Sequence, residues 1–274
     1  MRNEEGIFDY QTPFLLNAII DSEHKSRRLG TGSDFYKKSH FLADPNPARI
    51  DLTATLTDPF ESIYVKNFRQ RSKLNVLTLL DGSDSIAIAR QVGVMSQLER
   101  SINKSVAVKN DRYERYLISE TLVPINQSSE IQQHFVKGLG AIQYDTALAI
   151  NKLEAILPKT PALIFLVSDF HWSEDRLRET FTTLSGHYVI PIVLWHKKES
   201  ESHYPLWRFI QIQDAESGQH SLIFVTPKQK QHIAQKNKAR KQYLQNIFQR
   251  YQRRALWVSE QFKLQDLSSY FHGL

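Results

Sequence analysis

Three apolar runs constrain this chain more than any other feature. Leu74–Leu80 (LNVLTLL), Ala162–Val167 and Val189–Trp195 are nearly unbroken and strand-sized. A strand with one wet face alternates polar and apolar residues. A continuous run needs cover on both faces, as in a parallel sheet whose crossover helices pack on either side. The segments between and around these runs supply the helices: Ile86–Ile102, Ser128–Leu139, Asp145–Leu157 and Glu174–Leu184 read as helical, and Tyr113–Glu120 reads as a further strand. Strands alternating with helices predict an α/β fold with a doubly wound, mostly parallel sheet.

The flanking sequence follows other patterns. Phe14, Leu15, Ala18 and Ile19 share one face of a short amino-terminal helix. Prolines 45 and 47 mark a loop, and Ser62–Phe68 alternates like a strand. After the third apolar run, Phe209–Gln213 and Ser221–Thr226 read as a hairpin around Glu216-Ser217-Gly218. A long helix over about Lys228–Leu256 follows. Its Leu244, Ile247, Phe248 and Tyr251 fall at helical spacing and give its second half an apolar stripe. A last helix begins near Leu264. The predicted organisation is an amino-terminal helix and β extension over 1–70, an α/β core over 71–200, and a carboxyl-terminal hairpin with helices packed on the core over 201–274.

Composition narrows the function classes. The 274 residues contain no cysteine, which excludes disulfides, thiolate metal sites and a cysteine nucleophile. No apolar run approaches the roughly 20 residues that span a bilayer, and the first residues are acidic and polar, unlike a signal peptide. These features predict a cytoplasmic protein. The formal net charge is +6, but the basicity is local. No acidic residue stands between Glu216 and Glu260, whereas Lys228, Lys230, Lys236, Lys238, Arg240, Lys241, Arg250, Arg253 and Arg254 all do. Such a helix is either a solvated face or a surface for an acidic partner, a nucleic acid or a membrane.

The chemistry-bearing constellation is Asp81-Gly82-Ser83-Asp84-Ser85, directly after the first buried run and before a helix. In open α/β sheets, ligands bind outside the carboxyl ends of the strands. One carboxylate and two hydroxyls at alternate positions of a tight loop offer part of the oxygen shell that Mg²⁺ requires. Asp169 closes the second buried run in the same way (LVSDF), so parallel neighbouring strands would bring Asp81 and Asp169 to one edge. The competing reading is structural, since Asp, Gly and Ser are also the usual turn and N-cap residues. His171 reads either as a support for Asp169 or as a surface loop residue. Phe170 and Trp172 read either as aromatic anchors for a partner or as packing at the sheet edge. Gly30-Thr31-Gly32 lacks the preceding buried strand and following Lys of a phosphate loop.

Asp81, Ser83 and Ser85 match the DxSxS motif of von Willebrand factor A domains, and Asp169 matches the later aspartate of the same site. Beyond the site, Gly30–Phe35, Ala48–Asp51, Tyr64–Phe68, Val189–Trp195 and Asp214–Gly218 resemble, in order and spacing, bacterial domain-of-unknown-function family 58. The resemblance covers roughly residues 27–274. It implies a von Willebrand A-like, Rossmann-like three-layer fold. It also implies a non-enzymatic docking module that works with a MoxR-type AAA+ ATPase in complex assembly, with Mg²⁺ held by Asp81, Ser83, Ser85 and Asp169. The chain departs from the pattern at several points. Ile142 stands where the wider fold supplies a ligating threonine, with Asp145 and Thr146 nearby. Asp84 stands where a small residue is usual, Asp44–Leu52 is a reduced form of a basic-rich segment, and His196 replaces an acidic residue. A partly degenerate adhesion site is therefore expected. The alternatives are a metal-free interaction module and, further off, a metal-dependent phosphoesterase using Asp81 and Asp169; nucleic-acid binding by the basic helix is a weaker expectation.

Overall fold

The computed structural model describes residues 6–10, 12, 34–43, 45, 47–60, 62–69, 73–138, 149, 152–196, 206–207, 209–213, 220–259 and 261–272. The chain divides into two compact units, residues 13–73 and residues 1–12 with 74–274.

In the smaller unit, β1 (Asp34–His40) pairs antiparallel with β2 (Tyr64–Arg69), with a register shift between Phe35 and Lys37. A short helix, α1 (Leu52–Leu56), is capped by Asp51, whose carboxylate accepts from Ala54 N at 3.3 Å. The same buried carboxylate pairs with Lys38 at 3.0 Å and Lys66 at 3.7 Å, which ties the cap to both strands. The amino-terminal helix expected around Phe14–Ile19 and the Gly30–Ser33 turn lie outside the described residues.

The larger unit is built on a six-stranded sheet in the order β10-β7-β6-β3-β4-β5. Here β3 is Asn75–Asp81, β4 Arg112–Ile118, β5 Leu122–Pro124, β6 Leu163–Ser168, β7 Tyr188–Leu194 and β10 Leu256–Val258. All neighbours are parallel except β5, which turns back against β4. The two strands that the sequence reading does not mark are β5 and β10, the short edges. The runs themselves form β3, β6 and β7, and their side chains are buried almost throughout.

Alternate positions of these strands feed two apolar layers, as the pleat demands. On one face Leu77, Leu79, Ile164 and Leu166 pack with Leu153 of α5 (Leu153–Ile156), Leu177 and Phe181 of α6 (Glu174–Thr183), and Leu244 and Phe248 of α7 (Pro227–Arg250). On the other face Phe165 meets Phe8 and Phe271, the latter from α8 (Leu264–His272). Thr78 on that face bonds to the Tyr113 hydroxyl, which reaches the buried Glu99 of α3 (Val92–Lys109). Glu99 also pairs with Arg115 at 2.7 Å and accepts from Ser128 of α4 (Ser128–Gly138). The result is an α/β fold: a mixed, mostly parallel sheet with helices against both faces.

Several boundaries differ from expectation. The segment expected as one helix over Ile86–Ile102 is two, α2 (Asp84–Ile88) and α3. Arg90 adopts a left-handed φ of 57°, Gln91 N donates to Ile86 O and Arg90 N to Ala87 O. This is the paired bonding of a Schellman end, which stops α2. The long helix ends at Arg250, not near Leu256, for the same reason. Gln252 has a φ of 54°, Arg253 N donates to Phe248 O and Gln252 N to Gln249 O, and the freed chain forms β10. The hairpin is β8 (Phe209–Gln213) with β9 (His220–Phe224); its tip at 216–218 lies outside the described residues. Of the helix expected over 145–157, only the end is described. Residues 6–10, expected with the amino-terminal extension, belong to the larger unit. There Phe8 N donates to Ser105 Oγ at 2.9 Å and the Tyr10 hydroxyl to Asp111 at 2.5 Å.

Candidate functional site

Strand order places the site. From β3 the chain moves to β4 on one side, then returns to β6 on the other. Such a reversal opens a crevice at the strand carboxyl ends. Leu80 pairs with Val167 across β3 and β6, so the residues that follow, Asp81 and Ser168–Asp169, leave the sheet side by side. Gly82 turns the chain tightly against β4, with its N–H donating to Ile118 O at 2.8 Å. A Cβ at this position would stand 2.6 Å from Leu117 Cδ2 and 2.9 Å from the Ile118 oxygen, so only glycine fits.

The four residues singled out in the sequence are brought together. Asp81 is fully buried. Its Oδ1 accepts from Ser83 N at 2.9 Å; its Oδ2 accepts from Ser168 Oγ at 2.5 Å and from the Trp172 indole N–H at 3.1 Å. Ser83 occupies the N-cap position of α2, yet its hydroxyl makes no cap bond and lies 2.9 Å from Ser85 Oγ. The hydroxyl of Ser85 in turn bonds to Asp169. A pure N-cap role for this serine pair is thereby set aside in favour of a polar cluster. Asp169 is 4% exposed; its Oδ1 accepts from His171 N at 3.1 Å and its Oδ2 lies 3.0 Å from His171 Nδ1.

The two carboxylates have unequal electrostatics. Burial, and then the neighbouring Asp169 charge, push Asp81 up to about 6, against the hydrogen bonds from Ser168 and Ser83 that favour its ionised form. Burial also acts to raise Asp169, but its bonds to His171 and Ser85 outweigh that and hold it below the ordinary carboxylate range. Nearby, half-buried Asp84 is raised by burial and faces His134 of α4, which also bonds to the Gly82 backbone.

Phe170 and Trp172 are packing residues, being 1% and 8% exposed. Phe170 sits at a φ of 53°, a conformation that costs a bulky side chain of order 1–3 kcal/mol. Its ring contacts Trp172, Phe181 and Phe248, with centroids 5.4, 6.5 and 5.3 Å away, and its N–H donates to Ser168 Oγ at 2.7 Å. His171 does support Asp169, as one of its two sequence readings had it.

Three participants are not marked by the sequence as members of this site. Ser168 lies inside an apolar strand, and the Trp172 indole reaches back over β6 to Asp81. Arg240 comes from the basic helix: its guanidinium donates to Asp169 O at 2.6 Å, contacts His171 Nε2, and sits 5.3 Å from the Trp195 ring centre. Ile142, Asp145 and Thr146 lie outside the described residues. Among the described residues, no three His, Cys, Asp or Glu side chains are placed to hold a metal ion together. The donor set of two carboxylates and two hydroxyls is all oxygen, the chemistry that suits a hard divalent cation; as folded here, protein donors already engage both carboxylates.

A family model described as protein of unknown function DUF58 matches residues 49–243. The chain belongs to this family. No curated protein matches it. Among solved structures, a DUF58 chain of this sequence is similar to a conserved hypothetical protein BatB from Bacteroides thetaiotaomicron, at 12% identity and a TM-score of 0.35, over 72% of this chain and 98% of that one. It is also similar to an aerotolerance-related membrane protein from Bacteroides fragilis NCTC 9343 carrying multiple mutations to serines. There the identity is 11% and the TM-score 0.32, over 73% of this chain and 97% of that one. No helix among the described residues of this DUF58 protein is long and apolar enough to cross a membrane.

Proposed function

We propose that this DUF58 protein is a non-enzymatic interaction module of the von Willebrand A type. In this reading it works with a MoxR-type AAA+ ATPase in complex assembly and docks its partner through Mg²⁺. The supporting observation is the convergence of Asp81, Ser83, Ser85 and Asp169 at the switch point of the sheet. Two buried carboxylates this close are mutually unfavourable, and Asp81 carries the cost. A divalent cation relieves that cost. Asp81, Ser83 and Ser85 would hold it, with Asp169 acting directly or through water, and the ion would supply an open position for a carboxylate of the partner. Arg240 and His171 fix the Asp169 backbone and side chain, so this chain's own contribution is a pre-positioned, water-poor oxygen cluster.

A second reading, metal-free docking, is favoured by one observation. Asp81 Oδ2 already accepts from Ser168 and Trp172, and Asp169 is already held by His171. Calorimetric titration with Mg²⁺ on the wild type and on Asp81→Ala separates the two. Saturable heat that vanishes in the variant, with loss of ATPase capture, supports metal-mediated docking. Absence of heat at millimolar Mg²⁺ with capture retained supports the metal-free module. Turnover of simple phosphate esters would overturn both.

A further inference from the structure

A different surface of the larger unit combines two features that rarely meet by accident. The first is apolar. Leu206, Trp207, Phe209 and Phe224 are 42%, 64%, 70% and 37% exposed. Trp207 and Phe209 both pack on Phe224, with ring centres 6.2 and 4.9 Å apart, so the three rings form one exposed cluster rather than scattered residues. Contiguous exposed aromatics of this kind mark interaction surfaces. Trp207 is also held at a φ of 60°, a left-handed conformation that a bulky side chain adopts only at a cost, and its N–H is fastened to Val225 O at 2.8 Å.

The second feature is charge. Val225 is buried, and the next residue, Thr226, caps α7 through a capping box with Gln229. The aromatic cluster therefore adjoins the start of the helix. Helix α7 has no acidic residue, and its only buried side chains are Leu244 and Phe248, in its last two turns. The preceding four turns carry Lys228, Lys236, Lys238 and Lys241 on exposed positions, with Lys230 half-exposed beside them.

We propose that this surface docks on a bilayer bearing anionic phospholipids, with the Trp207, Phe209 and Phe224 rings entering the interface and Lys228, Lys236 and Lys238 of α7 facing the headgroups. Aromatic side chains sit at the headgroup level, and basic side chains beside them gain from the negative leaflet potential. A nucleic acid duplex would use the lysines equally well but would leave the apolar cluster in water. The three rings are tilted against one another at 55° and 51°, exposed aliphatic Leu206 precedes them in the chain, and burying this apolar surface favours the lipid interface. This proposal is independent of the Asp81 site.

The test is co-sedimentation of the full chain with phosphatidylcholine vesicles, with and without one third phosphatidylglycerol. The protein should pellet with the anionic vesicles only. Its tryptophan emission should shift to the blue and be quenched by brominated acyl chains, since Trp207 is exposed whereas Trp172 and Trp195 are buried. Trp207→Ala should abolish the quenching. Each of Lys228→Gln, Lys236→Gln and Lys238→Gln should weaken partitioning about fivefold, and the three together about a hundredfold. All these positions are exposed, and an unchanged melting temperature verifies the fold. Equal binding to neutral vesicles, no binding to anionic ones, or binding to a short RNA or DNA duplex in place of vesicles would overturn the proposal.

Discussion

Asp81 and Asp169 are alike in sequence and opposite in behaviour. A carboxyl whose folded-state pKa stands above its unfolded value favours the folded state when protonated. As pH rises from the ordinary carboxylate range through about 6, the unfolded chain ionises Asp81 first, so the folded state loses stability across that window and not below it. Asp169 is held low, so its contribution is present above its ordinary value and is lost only at lower pH. We expect the melting temperature of the metal-free wild type to fall relative to Asp81→Asn between pH 4.5 and pH 7.5 by several degrees, since this interval holds roughly 2 kcal/mol of the effect. Thermal melts of both proteins at the two pH values check this; a constant difference would mean that Asp81 does not titrate there. The ligand candidates were legible because DxSxS and LVSDF stand at strand ends. Ser168, Trp172 and Arg240 were not, because their roles depend on partners brought close only by the fold: Arg240 lies 71 residues from Asp169 in the chain.

At the scale of elements, the buried strands were the most legible part. A continuous apolar run has few alternatives to a strand covered on both faces, and β3, β6 and β7 follow it almost residue for residue. Helix ends were the least legible. α2 and α7 both stop at Schellman motifs whose left-handed residue is Arg90 or Gln252, and neither residue type advertises that conformation as glycine does. The edge strands β5 and β10 are too short to show a period. The same physics makes a prediction. Arg90→Gly and Gln252→Gly should each stabilise the protein by about 0.5–1 kcal/mol, because a left-handed side chain costs roughly 1–2 kcal/mol and glycine returns part of the gain as chain entropy. Chemical denaturation reads this directly, and a loss of stability in either variant would show that the side chain makes a larger contribution than its backbone strain.

At the scale of the molecule, residues 13–73 form a unit of their own, while the short segment before them belongs to the α/β unit that follows. Phe8, 3% exposed, stacks on Phe271 at 5.8 Å, and both rings meet Phe165 of the central strand β6. Removing either ring should cost about 3–5 kcal/mol. The double variant Phe8→Ala, Phe271→Ala should cost less than the sum by about 0.5–1.5 kcal/mol, since each ring loses the other only once. Urea denaturation of the four proteins of this cycle measures the coupling, and strict additivity would show that the two rings are energetically separate.

The Phe8–Phe271 contact, together with the hydrogen bond from Trp195 N to Val258 O that adds β10 to β7, bears on how the protein is made. A ribosome delivers Phe8 before Phe165, and Phe271 last of the three. Until residues 256–271 have left the exit tunnel, β7 is an open edge paired only with β6, and one face of β6 lacks part of its cover, a state prone to edge-to-edge association. The α/β unit therefore completes its sheet and covers its second face only after β10 and α8 have been synthesised.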